Sequence, residues 1–216
     1  MDVWLTDSVH AVMIDDDIVF LDVASNAYFC LPDIGAVLAM VGRRLAVSAE
    51  GLAEDLLAAG LAVVTPSGQA PPQVSPPART ARAVIDADRN LRGQGPSLAH
   101  WRQAIIAGLA ARAAERRGFA DRLPPAKTLA APAPTSALLA DLVAYRAMQP
   151  LLPFDGACLF RSQMLRAYLH ALGHHVDWIF GVRTWPFGAH CWLQAGDLVL
   201  DDEAERLVAY RPIMVR

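Results

Sequence analysis

The sequence predicts an α+β protein built in two parts, and three observations carry that expectation. Residues 9–31 are short runs of β-branched, aromatic and other apolar residues between turn dipeptides, the signature of strands. From Ala81 onward apolar residues recur at helical spacing before strand-like runs return near the end. Between the two parts, residues 65–80 hold Pro66, Pro71, Pro72, Pro76 and Pro77, which fit neither a helix interior nor a central strand. The expected organisation is a module over 1–64, a Pro-rich, semi-extended linker over 65–80 and a second domain over 81–216.

In the first part, Val9–Ile14, Ile18–Val23 and Ala27–Leu31 read as strands, with turns at Asp15-Asp16 and Ser25-Asn26. A helix is expected after Pro32, with Ile34, Val37, Leu38 and Val41 on one stripe. Ser48, Glu50 and Gly51 open a second helix that buries Leu52, Leu56 and Leu57 and ends near Gly60, and 61–64 is extended. Three strands followed by helices in about sixty residues fit a small winged-helix-like module. Charge opposes DNA binding and leaves it a weakened alternative: residues 1–64 carry Arg43 and Arg44 against ten Asp and Glu, whereas a phosphate-binding surface needs clustered cations. An edge strand that accepts an extended peptide is the better use of such a module, with Tyr28 and Phe29 on the third strand as candidate contacts.

In the second part, Ala81–Leu91 and Leu98–Arg117 read as helices, the latter with Trp101, Ile105, Ile106 and Leu109 as its buried stripe. A Pro-rich break spans Pro124 to Pro134, and Ser136 caps a further helix through Tyr145. Leu165, Tyr168, Leu169 and Leu172 give the run from Cys158 a helical stripe, and Gly173 stops it. Cys158 therefore sits in a helical first turn, where free N–H groups favour a thiolate. Val176–Val182 reads as a strand, followed by a strand carrying His190, a turn at Gly196-Asp197 and a returning strand through Asp201 and Asp202. A cysteine nucleophile needs a base and a carboxylate that orients the base, and all three types are present in order. A two-residue loop would put Asp201 on the His190 face, and a three-residue loop would put Asp202 opposite it.

Other candidates are read as structural. Cys191 should point away from His190, as strand neighbours do, and serve as packing. Cys30 is assigned to the core of the small module. His174-His175 reads as a solvated turn with no third metal ligand at a suitable spacing. Asp155 and Asp177 are assigned to the surface.

The bulk numbers bound the class. The 216 residues are 54% hydrophobic and 19% charged, with a net charge of −3, as in globular rather than disordered or nucleic-acid-binding chains. No apolar run reaches a membrane span, and the N-terminus lacks a signal-peptide pattern. Three cysteines without Cys-x-x-Cys suggest reduced thiols in the cytoplasm.

Over roughly Asp155 to Arg216, the set Cys158, Arg161, Ser162, Gly181, His190 and Trp192, followed by an acidic pair, resembles the transglutaminase-like cysteine protease of lasso peptide biosynthesis, the lasso B protein. The first half resembles, in element order, the PqqD-like leader-recognition element that precedes this protease. Cys191 stands where the family often has Ala, and Gln194 where it often has Glu. The resemblance implies a papain-like, transglutaminase-type cysteine protease domain with Cys158, His190 and Asp202 as its triad. It also implies a precursor-peptide leader as substrate and a macrocyclase as partner. No cofactor or metal is implied, and nucleotide dependence is left open. Arg161 and Trp192 are candidate substrate contacts. The alternatives are a non-catalytic leader-binding chaperone and an enzyme that transfers the acyl group to an amine.

Overall fold

The computed structural model describes every residue except 67, 69–71, 90, 92–94 and 127–128. The first part contains strands β1 (Asp2–Leu5), β2 (Val9–Ile14), β3 (Asp17–Asp22), β4 (Ala27–Leu31), β5 (Leu38–Val41) and β6 (Arg44–Val47), then helix α1 (Leu52–Ala58) and strand β7 (Ala62–Val63). They form an antiparallel sheet of order β2-β3-β4 and a second of order β5-β6-β1-β7. The three expected strands form where the alternation places them. The helix expected after Pro32 does not. The amides of Ile34 and Gly35 both donate to the Asp16 carbonyl, at 2.7 and 2.9 Å, and fold that stretch into turns. Gly42, at φ 60°, then reverses the chain so that Val41 pairs with Arg44. Of the expected stripe, Leu38 is buried and Val41 is 74% exposed, so the helical spacing there is coincidental. A winged-helix-like arrangement needs a helical layer; the described residues of this part supply one seven-residue helix.

The second part begins at β8 (Arg79–Thr80) and continues through α2 (Ala81–Ala87), α3 (Leu98–Ala114), α4 (Phe119–Arg122), α5 (Ser136–Met148), a 3-10 turn (Gln149–Leu151) and α6 (Cys158–Ala171). Strands β9 (Asp177–Arg183), β10 (Gly188–Ala195) and β11 (Leu198–Val199), helix α7 (Ala204–Leu207) and strand β12 (Arg211–Val215) complete it. The sheet order is β12-β9-β10-β11-β8. Helices α3 and α6 pack together, but of the expected stripe of α3 only Trp101 packs against the core. Ile105, Ile106 and Leu109 are exposed, and the buried residues are Ala104, Ala107, Gly108, Ala111 and Ala114. The small side chains let the neighbouring backbone come close: a Cβ on Gly108 would lie 2.3 Å from the Phe154 ring. Asp177, expected at the surface, is 2% exposed, and both its oxygens accept the Ala131 amide at 2.9 Å. His174, expected in a solvated turn, is half-buried with Nε2 2.7 Å from Asp141 Oδ2.

Two features join the parts. Strand β3 is buried on both faces. Ile18 and Phe20 enter the core of the first part, while Val19 and Leu21, with Val23 just beyond, enter the large core with Trp178, Phe180 and Met214. The linker, moreover, is no free spacer in its later half. Gln194 Nε2 donates to the Ser75 carbonyl at 2.7 Å, Arg79 grips Asp197, and β8 runs parallel to β11. Gln194, which stands where the resembled family often has Glu, is a buried clamp on the linker.

Candidate active site

Helix α6 starts at Cys158 with Ala157 as N-cap, which offers no side-chain acceptor. The first-turn amides are therefore left to stabilise negative charge at the sulfur. The neighbouring Cys191 and His190 side chains outweigh burial and draw the Cys158 thiol down to about 4. Cys191 moves the opposite way, pushed up by its Cys158 neighbour and by burial. The pair keeps one proton, and it stays on Cys191. The expectation that Cys191 is remote from the site is thereby corrected. Its side chain points at α6, with Sγ 3.9 Å from Ser162 Oγ.

How can His190, its strand neighbour, reach the same sulfur? Strand β10 is paired with β9 from Gly188 to Gln194, but on its other edge β11 covers Gln194 and Ala195 only. The edge beside His190 is thus left open, and His190 lines the same cleft as Cys158 and Cys191. Nε2 lies 2.6 Å from Asp202 Oδ2, which leaves Nδ1 for the thiol. The Cys158 contact raises the imidazole above its ordinary value, Asp202 adds to this, and burial opposes both. The ring stacks on Trp192 at 6.2 Å and tilts against Tyr210 at 5.6 Å. Trp192 lies across Gly181, where any Cβ would come within 2.7 Å of the indole. This close approach explains why glycine and tryptophan occur together in the motif.

The two aspartates take different partners. The loop between β10 and β11 has two residues, Gly196 and Asp197, since Ala195 pairs with Leu198. Strand alternation would then place Asp201 with His190. The ladder stops at Val199, however, and the chain turns. Asp201 Oδ1 accepts the Leu193 amide at 2.7 Å, and its Oδ2 accepts the Ser162 hydroxyl at 2.8 Å. Burial lifts the Asp201 carboxyl to about 6. Asp202, one residue on, is free to meet His190.

Cys158, Arg161, Ser162, His190, Cys191, Asp201 and Asp202 line one cleft of about 730 Å³, whose far wall includes Arg82 and Asp86 of α2 and Tyr145 and Arg146 of α5. Arg161 is exposed in it. Trp192, considered as a substrate contact, is 0% exposed and braces His190 instead. Tyr28 is half-buried beside the two cysteines, which together with burial raise its phenol to about 12. Phe29 lines a separate apolar cavity of about 130 Å³ with Tyr28, Cys30, Thr184, Trp185 and Phe187. Among the described residues, no group of three or more His, Cys, Asp or Glu side chains is arranged to hold a metal ion. The Ser162–Asp201 pair and the α2 wall were missed from sequence. Ser162 does stand four residues after Cys158, on the same helix face, but the wall depends on linker docking that no motif announces.

A family model described as the transglutaminase-like superfamily matches residues 98–215. No curated protein and no solved structure gives a match. The matched span covers more than half of the chain and contains α6, β9, β10 and the acidic turn, so the protein belongs to the transglutaminase-like superfamily.

Proposed function

We propose that this protein is a cysteine peptidase that removes the leader from a ribosomally made lasso precursor peptide, with the first part holding the leader. The observation that carries the reading is a cysteine at a helix start and a His190–Asp202 pair at 2.6 Å, all lining one cleft. The Cys158 thiolate attacks the scissile carbonyl, and the Cys158 amide helps hold the oxyanion, a contribution of about 2.7–4 kcal/mol per donor. The His190 imidazolium protonates the leaving amine. Water, activated by the neutral ring, then releases the acyl group and regenerates the thiolate.

Strand β4 lies at the edge of its sheet, and its outer side pairs with no strand among the described residues. An extended leader can add there through main-chain hydrogen bonds. Tyr28, on that strand, sits close enough to Cys158 to be affected by its charge. A leader seated on β4 would therefore deliver its C-terminal end to the cleft at high effective concentration. A macrocyclase would act on the released core, in the cytoplasm.

Mass spectrometry of a lasso precursor incubated with wild type and with Cys158→Ala tests the proposal. The expected result is one cut between leader and core, with water added, by wild type alone. Equal cleavage by both proteins, or an intact precursor that both still bind, refutes the peptidase. A product joined to an amine without added water identifies acyl transfer instead.

A further inference from the structure

Cys191 is a thiol that the peptidase chemistry does not consume, placed where a second thiol has consequences. Its sulfur lies 3.9 Å from the Ser162 hydroxyl on α6, the helix that Cys158 begins. The Ser162 hydroxyl also meets the Cys191 carbonyl at 3.4 Å, which fixes the main chain of β10 against the helix face that carries Cys158 one turn earlier. Both cysteines line the same cleft, but Cys191 is 4% exposed while Cys158 is partly open to solvent. A small oxidant from solvent therefore meets Cys158 first, with Cys191 waiting behind it.

We infer that Cys191 is a resolving cysteine, and that Cys158 and Cys191 form a reversible disulfide after a hydroperoxide oxidises Cys158. In the first step the Cys158 thiolate attacks the near peroxide oxygen. The S–O bond forms, the O–O bond breaks, and the departing oxyanion takes a proton to leave as an alcohol, or as water from hydrogen peroxide. Cys158 has lost two electrons and is a sulfenic acid. The Cys191 sulfur then attacks the Cys158 sulfur. The S–S bond forms, the S–O bond breaks, and hydroxide leaves with the Cys191 proton as water. An external dithiol returns both thiols by exchange. The disulfide ties up the nucleophile and spares it from sulfinic acid, which most reductants cannot reverse. The third cysteine, Cys30, lies on β4 and lines the separate aromatic cavity, so it is the natural control.

The inference rests on the Cys158 thiolate of the proposed peptidase but not on its substrate, and its test uses no peptide. The reduced full chain is treated with stoichiometric hydrogen peroxide, alkylated, digested and mapped by mass spectrometry. Wild type and Cys30→Ser should each yield a Cys158–Cys191 linked peptide pair, two hydrogens lighter, that dithiothreitol reverses. Alkylation of Cys158 should fall to background in the linked form. Cys191→Ser, which keeps a hydroxyl donor at that place, should instead accumulate dimedone-reactive Cys158 and then sulfinic acid. Cys158 oxidised without a link in wild type, a link to Cys30, or no oxidation at all would overturn the inference, whatever the behaviour of the variants. A latch without precursor cleavage would sink the peptidase alone; cleavage without a latch would sink this proposal alone.

Discussion

His190 is held at Nε2 by Asp202 and shares its cleft with Cys158, which raises its pKa, and a pH dependence follows. Cys158 loses its proton well below the ordinary thiol range, and His190 keeps its proton above the ordinary imidazole value. The thiolate–imidazolium pair exists between those limits. Cleavage should therefore rise as Cys158 ionises on the acid side, and fall on the alkaline side above the usual 6.5 as His190 loses its proton. Asp202→Asn removes one of the influences that raise His190, so the alkaline limb should move down toward 6.5 and kcat/KM should drop by roughly 10²–10⁴-fold. An unmoved limb in the pH–rate profile would show that Asp202 does not set the imidazole. Ser162→Ala leaves Asp201 without its hydroxyl donor; a loss of about 1–3 kcal/mol in denaturant unfolding is expected, with alkylation of Cys158 slowed. At this scale the sequence was legible for Cys158 and His190, because each sits in a recognisable local pattern. The choice between Asp201 and Asp202 was not legible from alternation, because alternation ends where the ladder ends.

Helix α3 shows how a real periodicity can point to the wrong face. Ile105, Ile106 and Leu109 recur at helical spacing with Trp101, yet packing buried the alanine and glycine side, where the Phe154 ring lies close on Gly108. Gly108→Ala separates the two effects. Helix propensity alone would favour alanine by about 1 kcal/mol, but the added methyl meets the Phe154 ring, a neighbour that leads into Cys158. A net loss of about 1–3 kcal/mol in thermal unfolding is expected, because overpacking outweighs propensity. Gln194→Ala tests the clamp on the linker. Cutting the amide removes its bond to Ser75 and leaves Trp192 Nε1 without its acceptor. Limited proteolysis within 72–78 should accelerate, with about 1–3 kcal/mol lost in stability; an unchanged digestion pattern would mean that Arg79 and β8 hold the linker unaided. Strand β5 was read as a helix because four residues cannot distinguish the two periods when the turn before them is set by the distant Asp16 carbonyl.

For the whole molecule, the informative signal was present and passed over. Ile18-Val19-Phe20-Leu21 is an unbroken apolar run, the mark of a strand covered on both faces, and β3 is such a strand. Its neighbour β2 carries His10, whose Nε2 lies 3.2 Å from the Arg216 guanidinium just past β12. Burial, then Arg216 and Arg43, lowers His10 to about 3. The unfolded chain binds this proton near 6.5 and the folded chain does not, so stability is complete above that value and falls by about 1.4 kcal/mol per pH unit below it. Asp201, with its raised carboxyl, acts in the opposite sense: its contribution is present at low pH and is lost as pH rises through about 6. Urea unfolding of wild type and His10→Gln at pH 7 and pH 4 isolates the histidine, and the variant should lose less stability on acidification. Parallel losses would mean that His10 titrates normally in the folded protein.

The double coverage of β3 also bears on how this chain can be cut and recombined. Trimming to the span that matches the family would discard Val19, Leu21 and Val23, each contributing roughly 1.5–3 kcal/mol of burial, and would bare the side chains they touch to water. Such a fragment invites aggregation before any chemistry can be measured. A transplant of the first 64 residues from a relative would fail for the same reason unless the donor matched those three positions. Retargeting the protein is better attempted by recoding the outer edge of β4 while leaving the inward side chains of β3 alone.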